Sequence, residues 1–298
     1  MLQSLKIVNK YYWKSLFGPG VMFVFSVLFT FVTVEMWDLA SLIQPFMLLP
    51  NIFCGVIMIV GMFCIPMTIN SLRTSLIMKR LDSSKITVLQ FALTVILYYF
   101  VMTLIAYMWF IAFGFAIFSN RVDDYINVLK MIDVACLFYC VLILFLLSLS
   151  FGFLVLMLTK RNYVIALVAI LTFLIGCFLS PFFAPLPMIH DLTPNWRPFG
   201  VDIEWSPTPL YYVVYIDPFW YTTSMSYEAF FSQKTPTYNV LGSNIFNPSV
   251  DLQIFFMVES NPHINLTQTD KWLNLMVPPA IIAILLGIES KYLKWNVR

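Results

Sequence analysis

ITVLQFALTVILYYFVMTLIAYMWFIAFGFAIF, residues 86–118, is 33 residues long and contains no Asp, Glu, Lys, Arg or His. The hydrocarbon core of a bilayer is about 30 Å thick and is crossed by about 20 apolar residues in a helix. The stretch therefore reads as a transmembrane helix that is longer than a perpendicular crossing requires. The excess predicts a strong tilt, or last turns (Phe110 to Phe118) that extend above the membrane or bend back.

Working outward, five further runs meet or approach the same test: 16–34, 52–69, 134–159, 164–180 and 272–288. The fold class expected is an all-α membrane protein with six transmembrane helices. Composition agrees, since 60% of the 298 residues are hydrophobic and 11% are charged, whereas about a quarter are charged in an average soluble domain. The first run follows a basic stretch, as a signal peptide would. However, it is too long for such a core, and no small-x-small cleavage site follows before Glu35-Met-Trp-Asp38, so it is expected to be retained. The two shortest runs carry prolines at an end: Pro181 after the fifth, and Pro278 and Pro279 in the first turns of the sixth.

Lysine and arginine counts orient the chain. Segments 1–15, 70–85, 160–163 and 289–298 hold 12 basic and 2 acidic residues, against 5 basic and 13 acidic in 35–51, 119–133 and 181–271. The basic set is expected on the cytoplasmic side, giving a multi-pass protein of the cell (plasma) membrane with both termini inside. Lys6, Lys10 and Lys14 recur at helical spacing, with Leu5, Val8 and Tyr12 on another face. Residues 1–15 are thus expected to form an interfacial helix whose lysines meet anionic headgroups of the bilayer. Residues 16–180 carry spans one to five, and 272–298 form span six and a cytoplasmic tail.

Between spans five and six, residues 181–271 form an enlarged extracytoplasmic region, too long for a simple connection. It begins with a turn bearing Pro181, Pro185 and Pro187. Strand-like patterns at Val201–Trp205, Leu210–Ile216 and Leu252–Val258 make a small mixed domain plausible there.

The chemistry is sparse. No phosphate-binding loop, zinc-protease helix or nucleophile elbow occurs. The five cysteines all lie in apolar runs and read as small buried hydrophobes. The two histidines, His190 and His263, are 73 positions apart, and solvated side chains outweigh a metal site. The six runs contain no Asp, Glu, Lys, Arg or His, which argues against a proton- or sodium-driven carrier. Their polar side chains (Thr68, Gln90, Thr94, Thr103, Ser148, Ser150, Thr172 and Asn274) are expected to make hydrogen bonds between helices.

The inner loop after span two is more informative. Asn70 or Ser71 is expected to cap a short basic amphipathic helix over 71–81, with Leu72, Leu76, Lys79 and Arg80 at spacings of three, four and seven. Asp82, Ser83 or Ser84 would cap the third span. Held between two spans, such a helix is placed to carry movement from a soluble partner into the bundle; the plainer reading is a positive loop that fixes topology.

The order of these features resembles the type-two ABC transporter permeases, the membrane-spanning subunits of ABC exporters. Three stretches carry the resemblance. Leu72-Arg-Thr-Ser-Leu-Ile-Met-Lys-Arg-Leu81 with Asp-Ser-Ser84 is similar to the family's coupling segment. Ser180-Pro-Phe-Phe-Ala-Pro-Leu-Pro187 is similar to its outer proline turn. Asp217-Pro-Phe-Trp-Tyr-Thr-Thr-Ser-Met-Ser-Tyr-Glu-Ala-Phe230 is similar to its Asn-Pro-aromatic helix before span six. The sequence departs from the family pattern in three respects. Asn70 and Ser71 stand where acidic residues usually lead the coupling segment. The outer region is larger, and Glu228-Ala-Phe replaces a closing arginine.

The resemblance implies a transport subunit without enzymatic activity of its own. It would move a hydrophobic or amphipathic substrate (lipid, drug, peptide or glycan). Leu72, Arg73, Leu76, Lys79, Arg80 and Leu81 would couple it to an ABC ATPase subunit in trans. Pro181, Pro185, Pro187, Asp217, Pro218 and Trp220 would form the outer turn and gate. The chain would bind no cofactor, with ATP and Mg held by the ATPase. A second permease copy or a paralogue would complete the pair, and no nucleic acid is expected. The alternative from another class is a membrane scaffold or sensor whose outer domain binds a partner.

Overall fold

The computed structural model describes residues 2–15, 19–25, 27–28, 31, 49–74, 88–119, 122–159, 161–179, 215–230 and 268–292. Nine α-helices are found among them: α1 (Leu2–Ser15), α2 (Leu49–Ile59), α3 (Ile65–Thr74), α4 (Val88–Ile117), α5 (Val122–Met131), α6 (Val134–Leu158), α7 (Asn162–Leu179), α8 (Pro218–Phe230) and α9 (Gln268–Tyr292). A π-helical turn, Val60–Cys64, joins α2 to α3 without a break, and a second occupies Gly20–Phe25. The described residues include no strand, and Tyr215 and Ile216, the end of one predicted strand, form a turn.

Four helical stretches are long and apolar enough to cross a membrane: Cys54–Ser71, Gln90–Ile117, Val134–Leu158 and Trp272–Glu289. Asn162–Ile175 is a shorter apolar helix. Of the expected first span, 16–34, only residues 19–25, 27–28 and 31 are described.

Side-chain contacts give the directions of these helices. Cys54 meets Cys140, and Gly61 and Pro66 meet Ser148 and Gly152, so α2–α3 runs parallel to α6. The Tyr139 hydroxyl donates to the Leu275 carbonyl at 3.1 Å, which places the starts of α6 and α9 side by side. Thr68 bonds Tyr99 at 2.7 Å, and Asn70 donates to Asn162, so the end of α3 meets the first half of α4 and the start of α7. α4 and α7 therefore run opposite to the other three.

α6 is the hub, packed on α2, α3, the π turn between them, α7, α8 and α9. Its tightest crossing needs two glycines. A Cβ on Gly152 would lie 2.6 Å from the Gly61 carbonyl oxygen and 2.6 Å from the Pro66 ring, and one on Gly61 would lie 2.5 Å from Ser148 Cβ. Ser148 and Gly152 are four apart, the small-xxx-small spacing that lets membrane helices touch backbone to backbone. The π turn Val60–Cys64 sits at this crossing.

α4 is one unbroken helix of 30 residues, about 45 Å long at 1.5 Å per residue. Phe110–Ile117 thus continue the helix rather than bend back. The bend comes afterwards, where α5 folds onto the end of α4. Tyr125 lies over Gly114, donates to the Ile111 carbonyl at 2.8 Å and packs edge-on against Phe115 at 5.0 Å. Burial pushes its phenol well above the usual range, so it stays a neutral donor.

Three expectations change. The span's helix runs through Asn70 and Ser71 to Thr74, so neither residue caps a separate helix, and the Asn70 side chain bonds α7 instead. Thr94, Thr103, Ser148, Ser150 and Thr172 donate to carbonyls four residues back in their own helices, whereas Thr68 bonds across helices. In a dry bundle the nearest acceptor is the helix's own backbone. Finally, α9 extends past the predicted end at residue 288, and Glu289, 6% exposed, belongs to the apolar stretch. A reading that stops each span at the first charge misses a carboxylate turned inward.

Candidate functional site

The most unusual element is α8. It has 13 residues, about 20 Å of helix and too short to cross a bilayer, yet nearly every described side chain in it is buried. It packs against α2, α6 and α9.

The sequence explains where α8 begins. The Asp217 carboxylate accepts from the Phe219 amide at 3.1 Å, satisfying one of the free N–H groups of the first turn. Pro218 occupies the first helical position, where its missing N–H costs nothing. A ring cluster holds the entry: Tyr215 lies 5.9 Å from Trp220 and 6.2 Å from Tyr221, whose hydroxyl donates back to the Tyr215 carbonyl at 2.8 Å.

Contacts with α6 fix its direction and depth. Phe219 stacks near Phe151 at 5.3 Å, the Cys140 thiol donates to the Thr222 carbonyl at 3.0 Å, and the Asp133 amide donates to the Ala229 carbonyl at 2.8 Å. α8 therefore runs antiparallel to α6. It starts beside the second half of that helix and returns to its first residue. Asp217, 5% exposed, lies well inside the bundle, at the end of α8 away from the α6 N-terminus. Broken, half-length helices inside a bundle are tolerated only where protein satisfies their ends, as Asp217 does here.

The α8 surface is rich in small polar groups: Thr222, Thr223, Ser224 and Ser226 are all buried. The two threonines bond the Phe219 carbonyl at 2.9 and 2.6 Å, and Ser226 shares Cys140 with Cys54. On α9, Pro279 has no N–H to offer the Leu275 carbonyl, and Tyr139 fills that vacancy from α6. Ser224 Oγ and Asn274 Nδ2 are buried with no hydrogen-bond partner among the described residues. Such groups are costly in an apolar setting, so they mark where a rearrangement or a bound polar group would be favourable.

Asp217, Pro218 and Trp220 thus come together as the cap, first residue and buried anchor of one helix. Leu72 and Arg73 lie in the backbone of α3. Leu76, Lys79, Arg80 and Leu81 fall outside the described residues, as do Pro181, Pro185 and Pro187, His190 and His263. Among the described residues no group of three metal-ligating side chains occurs. Sequence reasoning missed the Gly61–Gly152 crossing, although Ser148-x-x-x-Gly152 was there to be read. It also missed the carbonyl that Pro279 leaves for Tyr139. No family model matches the chain, and no curated protein is similar to it.

Proposed function

We propose that this chain is the membrane permease subunit of an ATP-driven exporter of the type-two ABC kind, paired with a second copy or a paralogue and driven by separate ATPase subunits. α8 carries the reading. A short helix led by Asp217-Pro218, buried among the spans before the last of them, is what the resemblance leads one to expect at that point of the chain. The long apolar helices of alternating direction are compatible with it, and the chain has no phosphate-binding loop with which to hydrolyse ATP itself.

In this mechanism the ATPase docks under residues 71–81. Leu72, Leu76 and Leu81 pack into its surface, and Arg73, Lys79 and Arg80 orient it. Closure of the ATPase pair on ATP displaces the loop. Residues 72–74 continue the helix of span two, so a push there travels along α3 without a joint until the π turn Val60–Cys64. At that level Gly61 and Gly152 hold span two against α6 too closely for the two to slide independently. The displacement reaches α6, and with it α8 and α9, shifting the bundle between inward- and outward-facing states. Such a shift requires ATP to bind one state better than the other. Asp217, Pro218 and Trp220, with the proline turn at 181–187, form the outer gate. The substrate is hydrophobic or amphipathic.

The test is affinity purification from native membranes in mild detergent. A subunit with a phosphate-binding loop should accompany the wild-type chain, and Leu76→Ala with Arg80→Ala should release it. A chain that purifies with no such subunit removes the proposal.

A further inference from the structure

α1 has two unlike faces, and they connect two different things. Val8 and Tyr12, four residues apart, are buried, while Lys6, Lys10 and Trp13, at i, i+4 and i+7, are exposed, with Leu5 and Asn9 beside them. The helix contains no acidic residue, so its lysines have no counter-charge within it. Two exposed ammonium groups flanked by Trp13 (53% exposed) and Leu5 (40% exposed) match a surface of phosphates over acyl chains. The helix packs against α4, itself long and apolar enough to span a membrane, so the exposed face has a bilayer beside it.

The buried face is pinned unusually firmly. Tyr12 has no exposed surface. Its ring meets Tyr98 and Tyr99 of α4 edge-on, each at 5.4 Å, and its hydroxyl donates to the Met22 sulfur at 3.0 Å. The Trp13 indole is hydrogen-bonded to Tyr98, which donates to Asn9 at 2.7 Å, so Tyr98 is gripped by two residues of α1. Tyr99 in turn bonds Thr68 of α3 at 2.7 Å. One continuous set of contacts therefore runs from the lysine-bearing helix to both α3 and α4, the two helices that flank residues 75–87.

We infer that the exposed face of α1 binds anionic phospholipid headgroups and that Tyr12 transmits this binding to α3 and α4, the helices on either side of residues 75–87. The lipid then stiffens those two helices where they meet. Neutral lipid leaves α1 less tightly seated and both helices looser. The inference does not depend on an ATPase, so it stands or falls apart from the exporter reading.

Amide hydrogen exchange on the full-length chain tests it, in vesicles of phosphatidylcholine with and without phosphatidylglycerol. Anionic vesicles should slow exchange severalfold in peptides covering 2–15, 65–74 and 88–99. Lys6→Gln with Lys10→Gln should abolish all three effects. Tyr12→Leu should keep the slowing in 2–15 and lose it in the other two. Tyr99→Phe, a milder change, should keep the effect on 88–99 and weaken it on 65–74. Equal exchange of the wild type in both vesicles overturns the lipid surface. Undiminished slowing of 65–74 and 88–99 in Tyr12→Leu overturns the transmission.

Discussion

Replacing Gly152 with alanine adds one methyl group at the closest crossing in the bundle. Two effects oppose each other. Alanine is the better helix former by about 1 kcal/mol. Against that, the new Cβ would stand 2.6 Å from both the Gly61 carbonyl oxygen and the Pro66 ring, and 3.2 Å from Met62 Cα. Ordinary contact begins near 3.4 Å, so α2–α3 and α6 would have to part by most of an ångström. Gly61 and Met62 present backbone and the Pro66 ring is stiff, so nothing on that side can swing away. Overpacking typically costs about 1–3 kcal/mol, and the rigid neighbours put this case at the upper end. The net effect is then a loss of about 2 kcal/mol, a factor of about 30 in the folded ratio. Gly287→Ala on α9 is the matched control: its Cβ meets nothing within 4 Å among the described residues, so the propensity gain remains and stability should hold or rise. The assay is reversible unfolding of the detergent-solubilised protein by SDS titration, with both variants against wild type. Equal midpoints for Gly152→Ala and Gly287→Ala would refute the close crossing.

Asp217→Ala should destabilise α8 by about 1 kcal/mol through loss of its cap, whereas Asp217→Asn, which can still accept the Phe219 amide, should cost much less; amide exchange at residues 218–221 reads the difference. Tyr99→Phe and Thr68→Val should each cost about 0.5–1.5 kcal/mol, and the double variant less than their sum, because both remove the same hydrogen bond; the same titration measures all three. Gly114→Ala meets a movable ring, not a backbone, so it should cost less than Gly152→Ala and register as higher Tyr125 mobility in an NMR spectrum of ring-labelled protein. Cys54, Cys64 and Cys140 are buried and should resist a membrane-permeant maleimide in native protein and react fully in SDS, as mass spectrometry of the labelled peptides will show.

The apolar runs from 52 onward were legible because lipid imposes one requirement, about 20 residues without charge, and α2–α3, α4, α6 and α9 answer it. The faces of α1 were legible in part: Val8 and Tyr12 recur at helical spacing and both are buried, but Leu5, expected on the same face, is exposed beside the lysines. A helix over 217–230 was expected from the resemblance rather than from any local pattern, and α8 occupies Pro218–Phe230. What hydropathy does not encode is which groups meet. Serines and threonines in a span have a carbonyl of their own helix within reach, so their presence did not signal interhelical bonds. Glu289 was lost because a charge ends an apolar run on paper, whereas in the folded helix it lies on the buried face with Asn274, Pro278 and Ile282. The pairing of Tyr139 with the carbonyl orphaned by Pro279 joins residues 136 apart in sequence, and no local pattern announces it.

The account rests on force entering the bundle from a separate ATPase through the loop after α3. The most direct measurement is ATP hydrolysis by the purified complex in proteoliposomes, comparing wild type with Leu76→Ala and Arg80→Ala chains loaded with equal amounts of ATPase. The account predicts that hydrolysis becomes insensitive to the permease and that substrate export is lost. Hydrolysis and export unchanged by both substitutions would contradict it.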